Sequence, residues 1–438
     1  MAPKSVSIAL QKELFFIFHF SFFINMTRYF LILSLTVLTL PVWAASYPPF
    51  QAFVDAAKPG DTLRPPPGTY AGPITIKIPI TIDGNNQVTI DGGGKETVIH
   101  LKADGAQLRN LHLTNSGESH NRIDACVQVR GNFNIIKDNI LDNCLFGIDL
   151  QMSNHNIVRR NRISSKPFSL GLRGDAIRLW YSMGNKITHN EINDSRDTVV
   201  WYSKENVIKG NTSLRGRYAL HFMYSQFNRV EDNTYHENAV GIFLMYSDDV
   251  QVRGNQISHS QGATGMGIGF KESSNVIIEN NRIVYCATGI YLDLSPYQPD
   301  TTNRIIANEI AYNSIGILFH NDWKGNVFKN NQFKGNHTQV AVQGARTAHR
   351  NVWQSNYWDD YSGFDRNGDG VGDTPYESYA YADQIWMDVP PTQFFRGSAV
   401  LELLNFLERL APFSEPVMIL RDSKPKIRPM ESKAEALD

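Results

Sequence analysis

Asn156-Ile-Val-Arg-Arg-Asn161-Arg-Ile163 is followed by Asn185-Lys-Ile-Thr-His-Asn190-Glu-Ile192 and, farther on, by Asn303-Arg-Ile-Ile-Ala-Asn308-Glu-Ile310. Each copy is an Asn, apolar residues at alternate positions, a second Asn five residues on and another apolar residue two later. With the second Asn as a marker the series runs Asn139, Asn161, Asn190, Asn211, Asn233, Asn255, Asn281, Asn308, Asn331 and Asn356, most often 22 residues apart. Alternation with period two indicates strands, and a repeat near that length indicates turns of one coil stacked on each other. The expected fold is all-β: a right-handed parallel β-helix of about 10–12 turns. Asn tolerates left-handed backbone angles, so the marker is expected to be the turn residue, and stacked copies are expected to form amide ladders.

The 438 residues carry 42 Lys+Arg against 43 Asp+Glu, a net charge of −1, which gives no argument for nucleic acid or an acidic polymer as a partner. Residues 1–44 read as a leader rather than as fold. Met26-Thr-Arg-Tyr29 opens a basic region, Phe30 to Leu40 is apolar, and Val42-Trp-Ala44 suits signal cleavage. The reading is a secretory signal cut after Ala44, its first 25 residues arising from an upstream start. The alternative is an uncleaved anchor from Phe15 to Leu40.

The remainder divides into a coil over 45–358, an acidic and aromatic end loop over 359–391, and a helix with a tail over 392–438. Tyr47 to Leu113 alternates less regularly and is expected to form the opening turns and a cap. Ser398 to Leu410 reads as a Ser-capped helix too short to span a bilayer. One face is expected to pack on the coil, with Leu401, Leu404, Phe406 and Leu407 as partner-binding candidates. The tail from Arg421, rich in Lys and Pro, is expected to be mobile or partner-bound.

Three cysteines, Cys126, Cys144 and Cys286, leave at least one free thiol in an exported protein. Cys144 and Cys286 both stand five residues after a marker Asn and six turns apart, on the order of 29 Å, so they cannot pair. Both are expected in buried turn positions that Asn313 and Asn336 fill elsewhere.

In each turn a strand begins eight or nine residues after the marker, as in Leu220-His-Phe-Met-Tyr224 and Ile242-Phe-Leu-Met-Tyr246. Its first and third residues point inward, which leaves two outward columns. One runs Asp149, Arg178, Val199, His221, Phe243, Gly269, Tyr291, Leu318. The other runs Gln151, Trp180, Trp201, Met223, Met245, Lys271, Asp293, His320. Met223 and Met245 are neighbours on adjacent turns, with His221 two residues along the same strand. Thioethers plus imidazole are a soft set suited to Cu(I). The bland alternative is an apolar patch covered by a loop or a partner. Longer turns at Ser164–Gly174, Ser258–Gly265 and Ser295–Thr302 gather on this face, and Met266 is expected to approach the same site.

Asp365-Arg-Asn367-Gly-Asp369-Gly-Val371-Gly-Asp373 has the start of an EF-hand loop but Tyr376 where the bidentate Glu belongs. It reads either as a site for Ca²⁺ or another hard cation or as an ordinary Asp/Gly turn. The rival function for a secreted β-helix is carbohydrate binding or cleavage. Catalysis on sugars needs converging carboxylates, and Asp149 and Asp293 lie several turns apart. No catalytic residue is assigned.

The repeats, with Tyr218-Ala-Leu-His-Phe-Met-Tyr224 among them, and above all Asn356-Tyr-Trp-Asp-Asp-Tyr-Ser-Gly-Phe-Asp-Arg-Asn-Gly-Asp-Gly-Val-Gly-Asp373 resemble the NosD family of periplasmic nitrous oxide reductase maturation proteins over essentially the whole length after the leader. The resemblance implies a β-helix on the periplasmic side of an ABC transporter, held at the inner membrane by a membrane subunit and an ATPase subunit. It implies a non-enzymatic role in building the copper-sulfide site of nitrous oxide reductase, with copper supplied by a lipoprotein chaperone. No P-loop occurs in the chain, in agreement with a separate ATPase. The assignment of His221, Met223, Met245 and Met266 to copper comes from the columns and not from the family.

Overall fold

A computed structural model describes residues 47–344, 346–411 and 415–429; the leader expectation for 1–44 lies outside them. The chain winds as a parallel β-helix whose strands form two ladders. One is a 12-stranded sheet, and the other a 24-stranded sheet in which two short strands per turn meet at a bend. The marker Asn sits at that bend, as Asn161 does between Ile157–Arg159 and Arg162–Ser165. Four consecutive strands of the 12-stranded sheet bear the candidate site: β1 (Asp197–Trp201), β2 (Tyr218–Met223), β3 (Val240–Met245) and β4 (Met266–Lys271).

The marker residues are buried, and the expectation that they take the left-handed turn is corrected. Positive φ falls on the residue before, as at Arg160 (φ 51), His189 (φ 55) and Asp232 (φ 54). The reason is direction: the marker's amide must point inward to reach the next turn, so the tight bend falls to a neighbour whose side chain faces solvent. The amide ladder itself forms as expected. Asn233 donates from N and Nδ2 to Asn255 Oδ1 at 3.0 and 2.9 Å, and from Nδ2 to the Ile208 carbonyl at 3.0 Å. A second ladder runs through Asn134, Asn156, Asn185, Asn206 and Asn228. A serine ladder begins Ser153, Ser182, Ser203, Ser225. Together they satisfy backbone donors that buried turns would otherwise strand.

Where the chain enters the 12-stranded sheet, two consecutive residues face inward. A Cβ on Gly241 would lie 2.5 Å from Ile257 Cγ2, and one on Gly267 2.4 Å from Ile283 Cγ2. Only a small residue fits against the facing wall there. This doubled step shifts the period-two alternation, so the residue before it, Tyr218 or Met266, is turned outward.

Cys126 and Cys144 are disulfide-bonded with Cα atoms 5.6 Å apart, and Cys286 is free and buried. Cys286 takes the expected turn position: its N–H donates to Asn313 Oδ1 at 2.8 Å, and the Asn313 N–H to Asn336 Oδ1 at 3.0 Å. Burial pushes its thiol up to about 11.

Beyond Trp358 the end loop contains the strand Tyr376–Ala380, paired antiparallel with Val417–Asp422. Helix α1 (Ala399–Leu410) is capped by the Ser398 hydroxyl, which accepts from the Leu401 N–H at 3.3 Å. The expectation of a loose tail from Arg421 is corrected for the described residues. Asp422 is buried, and its carboxylate accepts from the N–H groups of Ser355 (3.1 Å), Asn356 (3.0 Å) and Lys424 (3.0 Å). It also accepts from Asn356 Nδ2 (2.9 Å) and Trp358 Nε1 (3.3 Å). The returning chain thus ends the marker ladder with an acceptor that the coil's own last turn lacks.

Candidate functional site

Strand pairing reproduces both outward columns. Trp201 faces Met223, Met223 faces Met245 and Met245 faces Lys271; alongside, Val199, His221, Phe243 and Gly269 are in register. Adjacent strands lie ~4.8 Å apart, so side chains facing each other across them touch.

The first column points outward, as expected, yet around His221 it is not open to solvent. His221 is 8% exposed and Phe243 9%. Tyr218 lies flat on the imidazole (centroids 4.8 Å, 22°), Trp201 meets it edge-on (5.7 Å, 90°) and Phe243 closes a third side (6.0 Å, 64°). Tyr218 is held in turn by the Arg217 guanidinium 5.1 Å over its ring. Arg217 pairs with the buried Asp197, which also accepts the Tyr218 N–H at 3.1 Å.

Both ring nitrogens of His221 are buried without a hydrogen-bond partner, and burial lowers its pKa to about 4. A neutral imidazole with no partner is costly to bury unless something else takes the nitrogen. It is also the form in which histidine binds a metal. With Met223 and Met245 half-buried beside it, one imidazole and two thioethers make a donor set that fits Cu(I). Met266 shares the face: a Cβ at Gly269 would lie 2.7 Å from its Sδ and 2.4 Å from Phe243 Cδ2. The missing side chain at Gly269 makes room for both. Phe243 and its strand β3 stand between Met266 and His221, so Met266 lies one strand beyond His221 and Met223, while Met245 stands on β3 in register with Met223.

Tyr218, Arg217 and Asp197 escaped the sequence reading. The signal was available in Tyr218-Ala-Leu-His221, where the small residue after Tyr218 marks the shifted alternation.

On the preceding turns the same face is charged. Asp149 is held by Arg130 at 2.7 Å and Arg178 at 2.8 Å, and Asp175 by Arg196 at 2.8 Å. Burial pushes the Asp175 carboxyl up to about 6, with Arg196 opposing. On the turn that follows, Asp293 pairs with Lys271 at 3.8 Å. These carboxylates are tied to cations and do not converge as an acid/base pair.

Among the described residues no three of His, Cys, Asp and Glu come together as a metal site. In the 365–373 loop, Asp365 accepts the N–H groups of Gly368, Asp369 and Gly370, and Asp373 that of Arg366. Asn367 and Asp369 likewise accept from the N–H groups of Asp369 and Val371, so the side-chain oxygens are turned to the loop's own backbone. Leu401 is corrected as a partner contact, because it is buried against the coil at 6%. Leu404, Phe406 and Leu407 are exposed, as are Val400, Leu403 and Leu410. Among the described residues no helix is long and apolar enough to cross a membrane.

A family model described as "Periplasmic copper-binding protein (NosD)" matches residues 161–363, the turns that carry this site. A relative from Pseudomonas aeruginosa, named as a probable ABC transporter binding protein NosD, is 28% identical over 412 residues, 82% of this chain and 87% of its own length. Over these turns the chain is similar to the NosD family. A NosD relative from Stutzerimonas stutzeri is 34% identical over 111 residues, 25% of this chain and 26% of that one. Among solved structures, the A-module of mannuronan C-5 epimerase AlgE6 from Azotobacter vinelandii matches with a TM-score of 0.53 at 16% identity, over 69% of this chain and 93% of that one. That likeness concerns the coil alone.

Proposed function

We propose that this chain is a NosD-type periplasmic Cu(I)-carrying scaffold without turnover of its own, working with an ABC transporter in assembly of the copper-sulfide site of nitrous oxide reductase. A copper chaperone lipoprotein and the reductase are its proposed exchange partners. The observation that carries the reading is His221: a buried neutral imidazole with both nitrogens unpartnered, beside two thioethers in register. The family description as copper-binding and the relatives' naming as ABC transporter binding proteins support it. Copper here is cargo, and the chain supplies neutral soft ligands on a rigid sheet, an arrangement suited to holding Cu(I) and passing it on by ligand exchange.

Anaerobic Cu(I) titration of the protein against a competing chelator tests this, beside a variant with Met223→Leu and Met245→Leu. The expected result is one tight site in the parent and at least ~100-fold weaker binding in the variant, since both soft donors are gone. Equal affinity in the two proteins would move copper off this face.

Docking to the transporter's membrane subunit is assigned to α1. Its outer side presents Val400 at 71% and Phe406 at 58% exposure, together with Leu403 and Leu410, an apolar surface that an isolated chain gains nothing by exposing. Replacing Leu403 and Phe406 by Glu is expected to abolish co-purification with that subunit while leaving Cu(I) affinity intact. Retained association would exclude this face.

A further inference from the structure

Trp201 stands directly beside Met223 in the outward column, and its ring is perpendicular to that of His221 with centroids 5.7 Å apart. Trp180 leans on its other side at 5.5 Å and 56°. Trp180 is itself braced by the Arg178 guanidinium 4.5 Å over its ring, which is tied to Asp149 at 2.8 Å. The Trp201 indole is therefore fixed in place. Yet its Nε1 is buried and has no acceptor. A buried indole normally finds one, so hydrogen bonding does not explain why it is held there. What the ring offers its neighbours is a π-face, and Trp is the aromatic side chain that attracts a cation most strongly.

Charge supplies the second half of the argument. His221, Met223 and Met245 are all neutral donors, and Asp197, the buried carboxylate near them, is already paired with Arg217. A cation bound to these three would leave water without an anionic partner, which is expensive in a poorly solvated place. A monovalent ion with an aromatic face against it minimises that cost, while a divalent ion doubles the charge to be compensated.

Taking the copper reading above as given, we propose that Trp201 is a fourth member of the site, its π-face set against a soft monovalent d¹⁰ ion held by His221, Met223 and Met245. The ring offsets the unneutralised charge and closes the side from which water would enter. Cu(I) and Ag(I) then bind alike, and Zn(II) binds poorly.

The test is titration of the full mature chain with Cu(I) under anaerobic conditions and with Ag(I) in air, each against a competing chelator, while indole emission is followed. Parent protein is compared with Trp201→Leu, Trp201→Phe and the Met223→Leu, Met245→Leu pair, with circular dichroism confirming that each variant is folded. Either ion is expected to quench part of the parent's emission. Trp201→Leu is expected to lose that quench and to bind ~10- to 30-fold more weakly, with Trp201→Phe in between. If Trp201→Leu binds as tightly as the parent while the Met pair variant does not, the inference about Trp201 is overturned and the copper site stands. If the parent binds neither ion, the copper reading fails and the inference fails with it.

Discussion

Alanine at position 422 is expected to destabilise the coil by about 3–5 kcal/mol, the scale of removing one partner from a buried charged network. The carboxylate is fully buried and takes five donors, three from backbone N–H groups and two from the Asn356 amide and the Trp358 indole. Alanine leaves these donors short of an acceptor, those of Asn356 and Trp358 at a buried position and the N–H groups of Ser355 and Lys424 at its part-buried edge. The sum is less than five separate penalties, because the end of the coil will relax and admit some solvent. Stacked turns unfold with nearest-neighbour coupling, so the loss should concentrate at the C-terminal end. There Trp353 and Trp358 stack on Phe328 and Phe333 with centroids 4.1 Å apart. Urea unfolding followed by tryptophan emission should therefore shift more than unfolding followed by far-UV circular dichroism. A shift below ~1 kcal/mol by both probes would mean that the returning strand decorates the coil rather than closing it. For the same reason, docking through α1 has to be tested with point substitutions. Deletion of 392–438 would remove Asp422 and confuse loss of contact with loss of fold.

The second large effect is expected at the disulfide. Changing Cys126 and Cys144 together to Ala opens a link between residues 18 apart in sequence, worth about 3 kcal/mol on a chain-entropy account. Both residues are buried, so the lost sulfur contacts add a packing cost on the order of 1 kcal/mol. Equilibrium unfolding of the double variant against the oxidised parent measures the sum. A difference under ~1 kcal/mol would show that the early turns are held by packing alone. Cys286 should not confuse the measurement: it is buried, and its raised pKa keeps it a thiol at neutral pH.

Most of the coil was legible because two periodicities coincide. Period two fixes which side chains point outward, and the marker Asn fixes how far to step from one turn to the next, so the pairing of Met223 with Met245 and of His221 with Phe243 followed without any structure. Legibility stopped where either period breaks. Two inward residues in succession at Ala219–Leu220 and Gly241–Ile242 hid Tyr218 from the column argument, and with it the clamp on the imidazole. Cys126 precedes the regular markers, so no register pointed to Cys144. The strand Val417–Asp422 pairs antiparallel with Tyr376–Ala380 across some forty residues, and no repeat announces such a return. Exposure was likewise beyond the columns. They tell which way His221 points, whereas its burial depends on rings brought in from β1 and β3 and on Tyr218 from its own strand.

The marker ladder also has a direction. Every Asn-to-Asn bond in it runs toward the C-terminus, from N and Nδ2 of one turn to Oδ1 of the next, as from Asn331 to Asn356 at 2.9 and 3.0 Å. Each completed turn therefore offers the acceptor its predecessor lacks and exposes new donors of its own, so the coil is a template that invites one more turn. Asp422 answers the invitation without renewing it: a carboxylate accepts and has no hydrogen to pass on. Had the chain ended the series on another amide, the open face would remain competent to recruit a second coil, and end-to-end polymerisation would be the natural fate of an exposed parallel edge. A change of one functional group, from amide to acid, turns a polymerisable surface into a terminus.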